Sequence, residues 1–282
     1  MKSSVAAAIA LVLALAATTT SAGVVISQKV VVTDQSGEHK TEQTVMVQGT
    51  KQKVITGDSE ILTDLDAGKV YFIRPKNKQF VEVGFPPTGM FARIMARQGI
   101  SVGFKKGDAT HKVAGYTCQE YTGAAPVGLN TLNMTECVAS DAPGAKEVSE
   151  FHKAMVEKLK GTALAPNGEV PEGVSVISSS TLTQPPFVPP PGMSAEQAKQ
   201  MEELLAKQKP TVSKTTVSKI EVKALPADTF IVPANYTKRE VQFSPMSIPG
   251  KLQAMHAHIP GEMVAPGSPA GAPPAPAGSP PQ

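Results

Sequence analysis

Apolar and polar residues alternate with a period of two from residue 24 to residue 83, in short runs separated by turn-forming residues. Val24–Thr33 leads into Asp34-Gln-Ser-Gly37, whose glycine accepts the positive φ of a hairpin turn, and Lys40–Gln48 returns. Gln52–Thr56, Glu60–Leu65, Lys69–Arg74 and Gln79–Val83 follow, joined by Gly57-Asp58, Asp66-Ala-Gly68 and Pro75-Lys-Asn-Lys78. Short strands with such connections predict an antiparallel meander. Val45 and Val47 point to one side of it and Thr44 and Met46 to the other, so one face is expected to be wetter.

The period then changes. Pro86 and Pro87 open a predicted helix in which Met90, Phe91, Ile94 and Met95 share one side, with Arg93 and Arg97 off it and Gly99 as its stop. A second helix is predicted over Lys146–Lys160, with Val148, Phe151, Met155 and Leu159 on one stripe and Gly161 after the end. Between the helices lie strand-like Ser101–Lys105 and His111–Val113, then Tyr116–Thr122 and Asn133–Ala139. Val174–Thr183 and Thr211–Lys223 read as longer strands. The segment 184–209 looks inserted between these two, which would otherwise form a hairpin. It holds a stiff run, Pro185-Pro-Phe-Val-Pro-Pro-Pro191, and a short helix capped by Ser194 with Gln197 at the capping-box position. Ala198, Met201, Leu204 and Leu205 form that helix's apolar side. An irregular stretch, Ala224–Asn235, and a last strand, Thr237–Phe243, close the pattern.

The two ends of the chain have different chemistry. Lys2, the thirteen-residue apolar run Val5–Ala17 and the small residues Thr20-Ser21-Ala22 have the order of a secretory signal peptide. That run is short of the roughly 18–20 residues a membrane-spanning helix needs. The reading is a signal over 1–22, a domain over 23–243 and a Pro/Ala/Gly-rich tail over 244–282 that cannot bury a core. Residues 261–282 alone carry seven of the 25 prolines. An exported chain, periplasmic or otherwise secreted and soluble once cleaved, is the expectation. No transmembrane segment is expected in the mature chain.

Removing Lys2 with the signal leaves 26 basic against 24 acidic residues. Such balance argues against a nucleic-acid binder, which needs a dense basic face to displace counterions.

Cys118 and Cys137 both lie in the exported portion, where an even pair is ordinarily a disulfide. Folding the two flanking strands about the centre of the intervening loop places 118 opposite 137. Redox activity is disfavoured, because C-x-x-C spacing is absent and neither cysteine has a neighbouring His or Lys in sequence.

Lys112-Val-Ala-Gly-Tyr-Thr-Cys-Gln-Glu-Tyr121 resembles the G-Y-x-C strand of an uncharacterised family of exported bacterial domains similar to LolA/LolB-like lipoprotein carriers. Val217–Phe230, followed by Ile231-Val-Pro-Ala-Asn-Tyr236, resembles the same family's closing segment. The resemblance covers roughly 24–240. The chain departs from it in having no Trp and in carrying the 184–209 insertion. It implies an α+β fold, an incomplete antiparallel β-barrel (half-barrel) whose concave apolar side is covered by helices. It implies no defined activity.

No serine-hydrolase, zinc-protease, P-loop or dinucleotide-binding pattern occurs, so a non-enzymatic protein without a cofactor is expected. Of the five histidines, His39, His111 and His152 are read as solvated surface residues. Met255, His256 and His258 have ligand types suited to copper, the competing reading being a tail that happens to hold two histidines. Two functions stand side by side. In one, an apolar ligand (an acyl chain or lipoprotein segment) sits against Met90, Phe91, Ile94, Met95, Phe151 and Met155, although the same residues could simply fill a closed core. In the other, the insertion and tail contact a protein partner of the cell envelope and the half-barrel is a scaffold.

Overall fold

The computed structural model describes residues 22–88, 103–127, 130–162, 164–184, 187–189, 192–206 and 209–240. The signal (apart from Ala22), the predicted helix with Met90, Phe91, Ile94 and Met95, and the tail with Met255, His256 and His258 lie outside them.

Alternating β-branched positions form the expected meander: β1 (Gly23–Asp34), β2 (Gly37–Gln48), β3 (Lys51–Thr56), β4 (Ser59–Asp64), β5 (Lys69–Arg74) and β6 (Gln79–Gly84). A second ladder follows with β7 (Gly103–Val113), β8 (Tyr116–Val127), β9 (Asn130–Ala139), β10 (Val174–Thr183) and β11 (Thr211–Lys223). The helix α1 (Ala145–Leu159) lies between β9 and β10, and α2 (Ala195–Ala206) between β10 and β11. β11 pairs with β1 along almost its whole length and so joins the two ladders. A three-residue strand, β12 (Thr237–Arg239), adds to β6 in the only parallel pairing among the described strands. The result is one twelve-stranded sheet, β12-β6-β5-β4-β3-β2-β1-β11-β10-β9-β8-β7, that does not close. It is the incomplete antiparallel barrel expected from the sequence.

The face under α1 is the inner face. Val148, Phe151, Met155 and Leu159 are buried there together with Val24, Ile26, Val47, Val174, Val176, Val217 and Ile220. A bulge in β11 makes that set continuous. Ser27 pairs with Lys219 and Gln28 with Val217, so Ser218 is the extra residue, and its hydroxyl donates to Ser27 O at 3.0 Å. The bulge re-phases the strand, so that Ile220 and Val217 both join the inner core. Gly144 starts α1 at φ +75°, and a Cβ there would lie 2.3 Å from Val24 Cγ2, so the close entry of the helix requires glycine. The Gly49 amide donates to the Glu147 carboxylate, which anchors the first helical turn to the β2–β3 turn.

The outer face has its own core. Leu62, Ile73 and Phe230 are buried there, with Met46, Tyr71, Phe80, Leu225, Val232 and Tyr236 packed against them. The irregular segment after β11 therefore crosses behind the β2–β6 arm and covers its outer face. Cross-strand pairs Lys53–Glu60 and Lys51–Asp64, both at 2.9 Å, lie on that same face.

Three local readings change. Residues 103–113 form one strand with a register shift between Lys106 and Thr110, where the sequence suggested two fragments; exposed lysines protect this sheet edge. β12 is described only over Thr237–Arg239, with the remainder of the predicted 237–243 strand beyond Glu240 outside the described residues. The cysteines do form a disulfide, with Cα atoms 5.2 Å apart, but they are not opposite one another. Cys137 faces Glu120, and the ladder runs out to Val127 and Asn130. Only two residues separate these strands, which moves the turn centre by one position and the register by two. Both cysteines are buried, 1% and 2% exposed, in the same hydrophobic cluster as the α1 stripe.

The disulfide closes a span of 19 residues, which by the chain-entropy relation contributes about 3 kcal/mol. Chemical denaturation with and without reductant is expected to differ by about that amount, and no difference would remove the structural role. Phe151 is fully buried, so Phe151→Ala is expected to cost about 3–5 kcal/mol in the same measurement.

Candidate functional site

Alternation on the inner face sends every second residue of each strand toward α1. Close to the helix these positions are apolar. One step further along the strands they become polar: Gln28 on β1, Gln43 on β2, Glu136 on β9, Ser178 on β10 and Thr215 on β11. The registers align them, with Gln28 beside Gln43, Glu136 beside Ser178, and Ser178 beside Thr215. Gln28 donates to the Gln43 side-chain carbonyl, and Gln43 donates to Thr56 Oγ1 at 2.8 Å. Gln43, Glu136, Ser178 and Thr215 are all buried. The polar row is a built feature of the interior.

Above the row is a cavity of about 170 Å³, partly open to solvent. Val148, His152, Met155, Val156 and Leu159 of α1 form its roof, and Val45, Val54 and Val138 form apolar walls. Its remaining side is a strap, residues 164–173, that follows the helix. Leu164, Pro166, Val170 and Pro171 of the strap face the cavity. The strap is fastened to the sheet edge: the Glu169 amide donates to Phe104 O on β7 at 3.0 Å. Gly103 makes the crossing possible, since a Cβ there would fall 1.4 Å from Asn167 O. From the cavity an apolar row, Val45, Val54, Ile61, Phe72 and Val81, runs directly across β2–β6.

Of the residues expected to line a ligand site, Met155 lines the cavity. Phe151 does not; its ring is sealed in the core between helix and sheet. Met90, Phe91, Ile94 and Met95 lie outside the described residues. His152 corrects the surface assignment made for it. It is half-buried in the cavity roof, one helical turn from both Val148 and Val156, with its ring 6.0 Å from that of Phe151. Desolvation pushes its pKa down from 6.5 to about 4. His39 is half-buried, with 42% of its side chain exposed, and His111 is exposed; His111 Nε2 lies 3.1 Å from Glu120 Oε2 across the β7–β8 hairpin. The polar row escaped sequence reasoning because each member is a single polar residue on a separate strand. The one signal was the interruption of apolar alternation at Gln28, Gln43 and Glu136.

Because the fold holds His152 neutral, the unfolded chain binds the extra proton first as pH falls. Stability carried by this group is therefore present above pH 6.5 and lost between 6.5 and about 4. The full shift, reduced for partial solvent contact, corresponds to about 2 kcal/mol. Melting curves from pH 7 to pH 4.5 are expected to show His152→Gln losing less stability than the parent protein by about that amount; parallel curves would remove the effect.

No protein-family model matches the chain, and no curated protein matches it. Among solved structures the chain is similar to PNGF-II, with 11% identity and a TM-score of 0.37 over 78% of this chain. It spans only 31% of that protein's length. It is also similar to a putative outer membrane lipoprotein-sorting protein domain from Vibrio parahaemolyticus, with 6% identity and a TM-score of 0.32 over 74% of this chain and 89% of the other. A LolA superfamily protein from Nitrosomonas europaea has 8% identity and a TM-score of 0.27, over 75% and 90% of the two chains. A DUF1329 family protein from Desulfovibrio piger has 6% identity and a TM-score of 0.30, over the same shares. At these TM-scores the functional reading rests on the chain's own residues.

Proposed function

We propose that this chain is an exported, non-enzymatic envelope protein that binds an apolar ligand, an acyl chain or lipoprotein segment, between α1, the strap and the inner face of the sheet. The observation that carries this reading is the cavity itself. Its walls are mostly aliphatic, and a row of polar groups crosses its floor, with His152 in the roof and Glu169 on the strap. A site of that kind gains affinity from apolar burial and orients its ligand through a few fixed polar atoms. Met155 supplies an unbranched, adaptable contact in the roof. The disulfide supports export, since such bonds persist in oxidising compartments. Among the described residues no helix is long and apolar enough to cross a membrane.

A second reading is favoured by the insertion. On α2, Met201 and Leu204 are 39% and 59% exposed, and Val188 in the proline-rich run is 80% exposed. Leu182 pairs with Thr211, so β10 and β11 already form a hairpin without the segment between them. Under this reading the insertion contacts a protein partner of the envelope, and its deletion removes the partner while ligand binding persists.

Nile red, a neutral apolar dye, is expected to bind the purified full-length protein. Val54→Trp, which fills the cavity wall, should weaken binding at least about tenfold while shifting the melting temperature little. Native mass spectrometry should also find a co-purifying amphiphile. Undiminished dye binding in Val54→Trp together with a ligand-free native spectrum would refute the carrier reading.

A further inference from the structure

Resting on the ligand-binding reading, the geometry points to a head-group site: we infer that the buried hydroxyls of β10 and β11 bind the polar end of the ligand, and that this end carries vicinal hydroxyls, as a glyceryl ester does.

Two successive rungs of the β10–β11 ladder set four hydroxyl groups side by side. Ser178 pairs with Thr215 and Ser180 with Ser213, with no register shift between the rungs. Residues two apart on a strand share a face, and Ser178 and Thr215 line the cavity, so all four belong to the inner face. Ser180 and Ser213 lie one step beyond the cavity floor, about 7 Å further along the strands. All four residues are buried. Apolar residues flank the patch on both sides. Val30 pairs with Thr215 and Val32 with Ser213 on β1, and Met134 pairs with Ser180 on β9. Closer to α1 the same two strands present Val174, Val176 and Val217 to the inner core. The change from valine to serine and threonine is therefore a change within one face.

Ser213 is the group that requires a partner. It is 8% exposed, and its Oγ has no hydrogen-bond partner among the described residues. A buried hydroxyl in that state costs the folded protein stability that alanine at the same position would not cost. The same hydroxyl can donate one bond and accept two from a group that arrives along the ladder. Two rungs suit a polar end with more than one hydrogen-bonding group. With an acyl chain against Val45 and Val54, an ester meets Ser178 and Thr215 at the first rung. The hydroxyls of a glyceryl group then reach Ser180 and Ser213 at the second. A simple alkyl ester stops at the first.

1-Decanoylglycerol and propyl decanoate have the same acyl chain and ester, and differ by the two hydroxyls of the glyceryl group. Competition of each against Nile red on the full-length protein gives the ratio of their affinities. Ser213→Ala is expected to lower that ratio about fivefold against 1-decanoylglycerol, the worth of one hydrogen bond. In the ligand-free protein Ser213→Ala should melt at or above the temperature of the parent, which a serine with a structural partner would not allow. Thr215→Val keeps the shape of the side chain without its hydroxyl and should lower the same ratio from the first rung. Glycerol alone is expected to leave the dye in place, because it has no chain for the aliphatic walls. A ratio indifferent to both variants, a lower melting temperature for Ser213→Ala, or displacement by glycerol overturns the head-group site alone. Failure of Nile red and of both esters to bind overturns the ligand-binding reading beneath it.

Discussion

Burial of one helical stripe against the inner face of the sheet is the constraint on which the rest depends. Val148, Phe151, Met155 and Leu159 recur at helical spacing, and together they cover Val24, Val47 and Val174 from three different strands. The contact joins the meander of β1–β6 to the ladder of β7–β11 at the seam where β1 and β11 pair. A fully extended sheet of this size has a dry face that needs covering, and this helix supplies the cover near its centre. Helical period then decides the site. With Phe151 directed into the core, His152 and Val156 are carried to the edge of the stripe, where they roof the cavity.

An unclosed barrel accommodates polarity in its interior in a way that a closed core does not. The inner positions change from aliphatic beneath α1 to amide, hydroxyl and carboxyl one step further along each strand. Gln28, Gln43 and Thr56 are hydrogen-bonded across three strands, which lowers the cost of keeping Gln43 buried. The strap lies along one side, held to the edge strand by the Glu169–Phe104 backbone contact, and the cavity stays partly open to solvent. Aliphatic walls, a polar floor row and an accessible mouth on one side are the features on which the proposed binding of an apolar ligand rests.

Much of the architecture was legible in the sequence. Val174–Thr183 and Thr211–Lys223 are strands with the predicted limits, and Lys69–Arg74 keeps its predicted bounds. The capping box of α2 forms as its residues predict, with the Gln197 amide and the Ser194 hydroxyl 3.2 Å apart. Elsewhere local pattern was outweighed. Residues 103–113 are too polar to look like one strand, yet pairing with β8 holds them extended. In the cysteine hairpin, Gly123 and Pro126 read as loop, but the ladder continues through both to a two-residue connection. The solvated assignment of His152 failed because a helical wheel says which side is apolar and not what stands beyond the edge of the stripe.

The sequence by itself determined the strands, the helix and its buried stripe, and the pairing of the two cysteines, because period, capping and composition are local properties. Only the tertiary structure decided the polar row, the strap and the cavity. Gln28, Gln43, Glu136, Ser178 and Thr215 come from five strands, and their adjacency depends on strand order, register and the bulge at Ser218. A shift of one residue would have turned any of them to the other face. The half-barrel could be read along the chain, whereas the polar row and the cavity exist only across it.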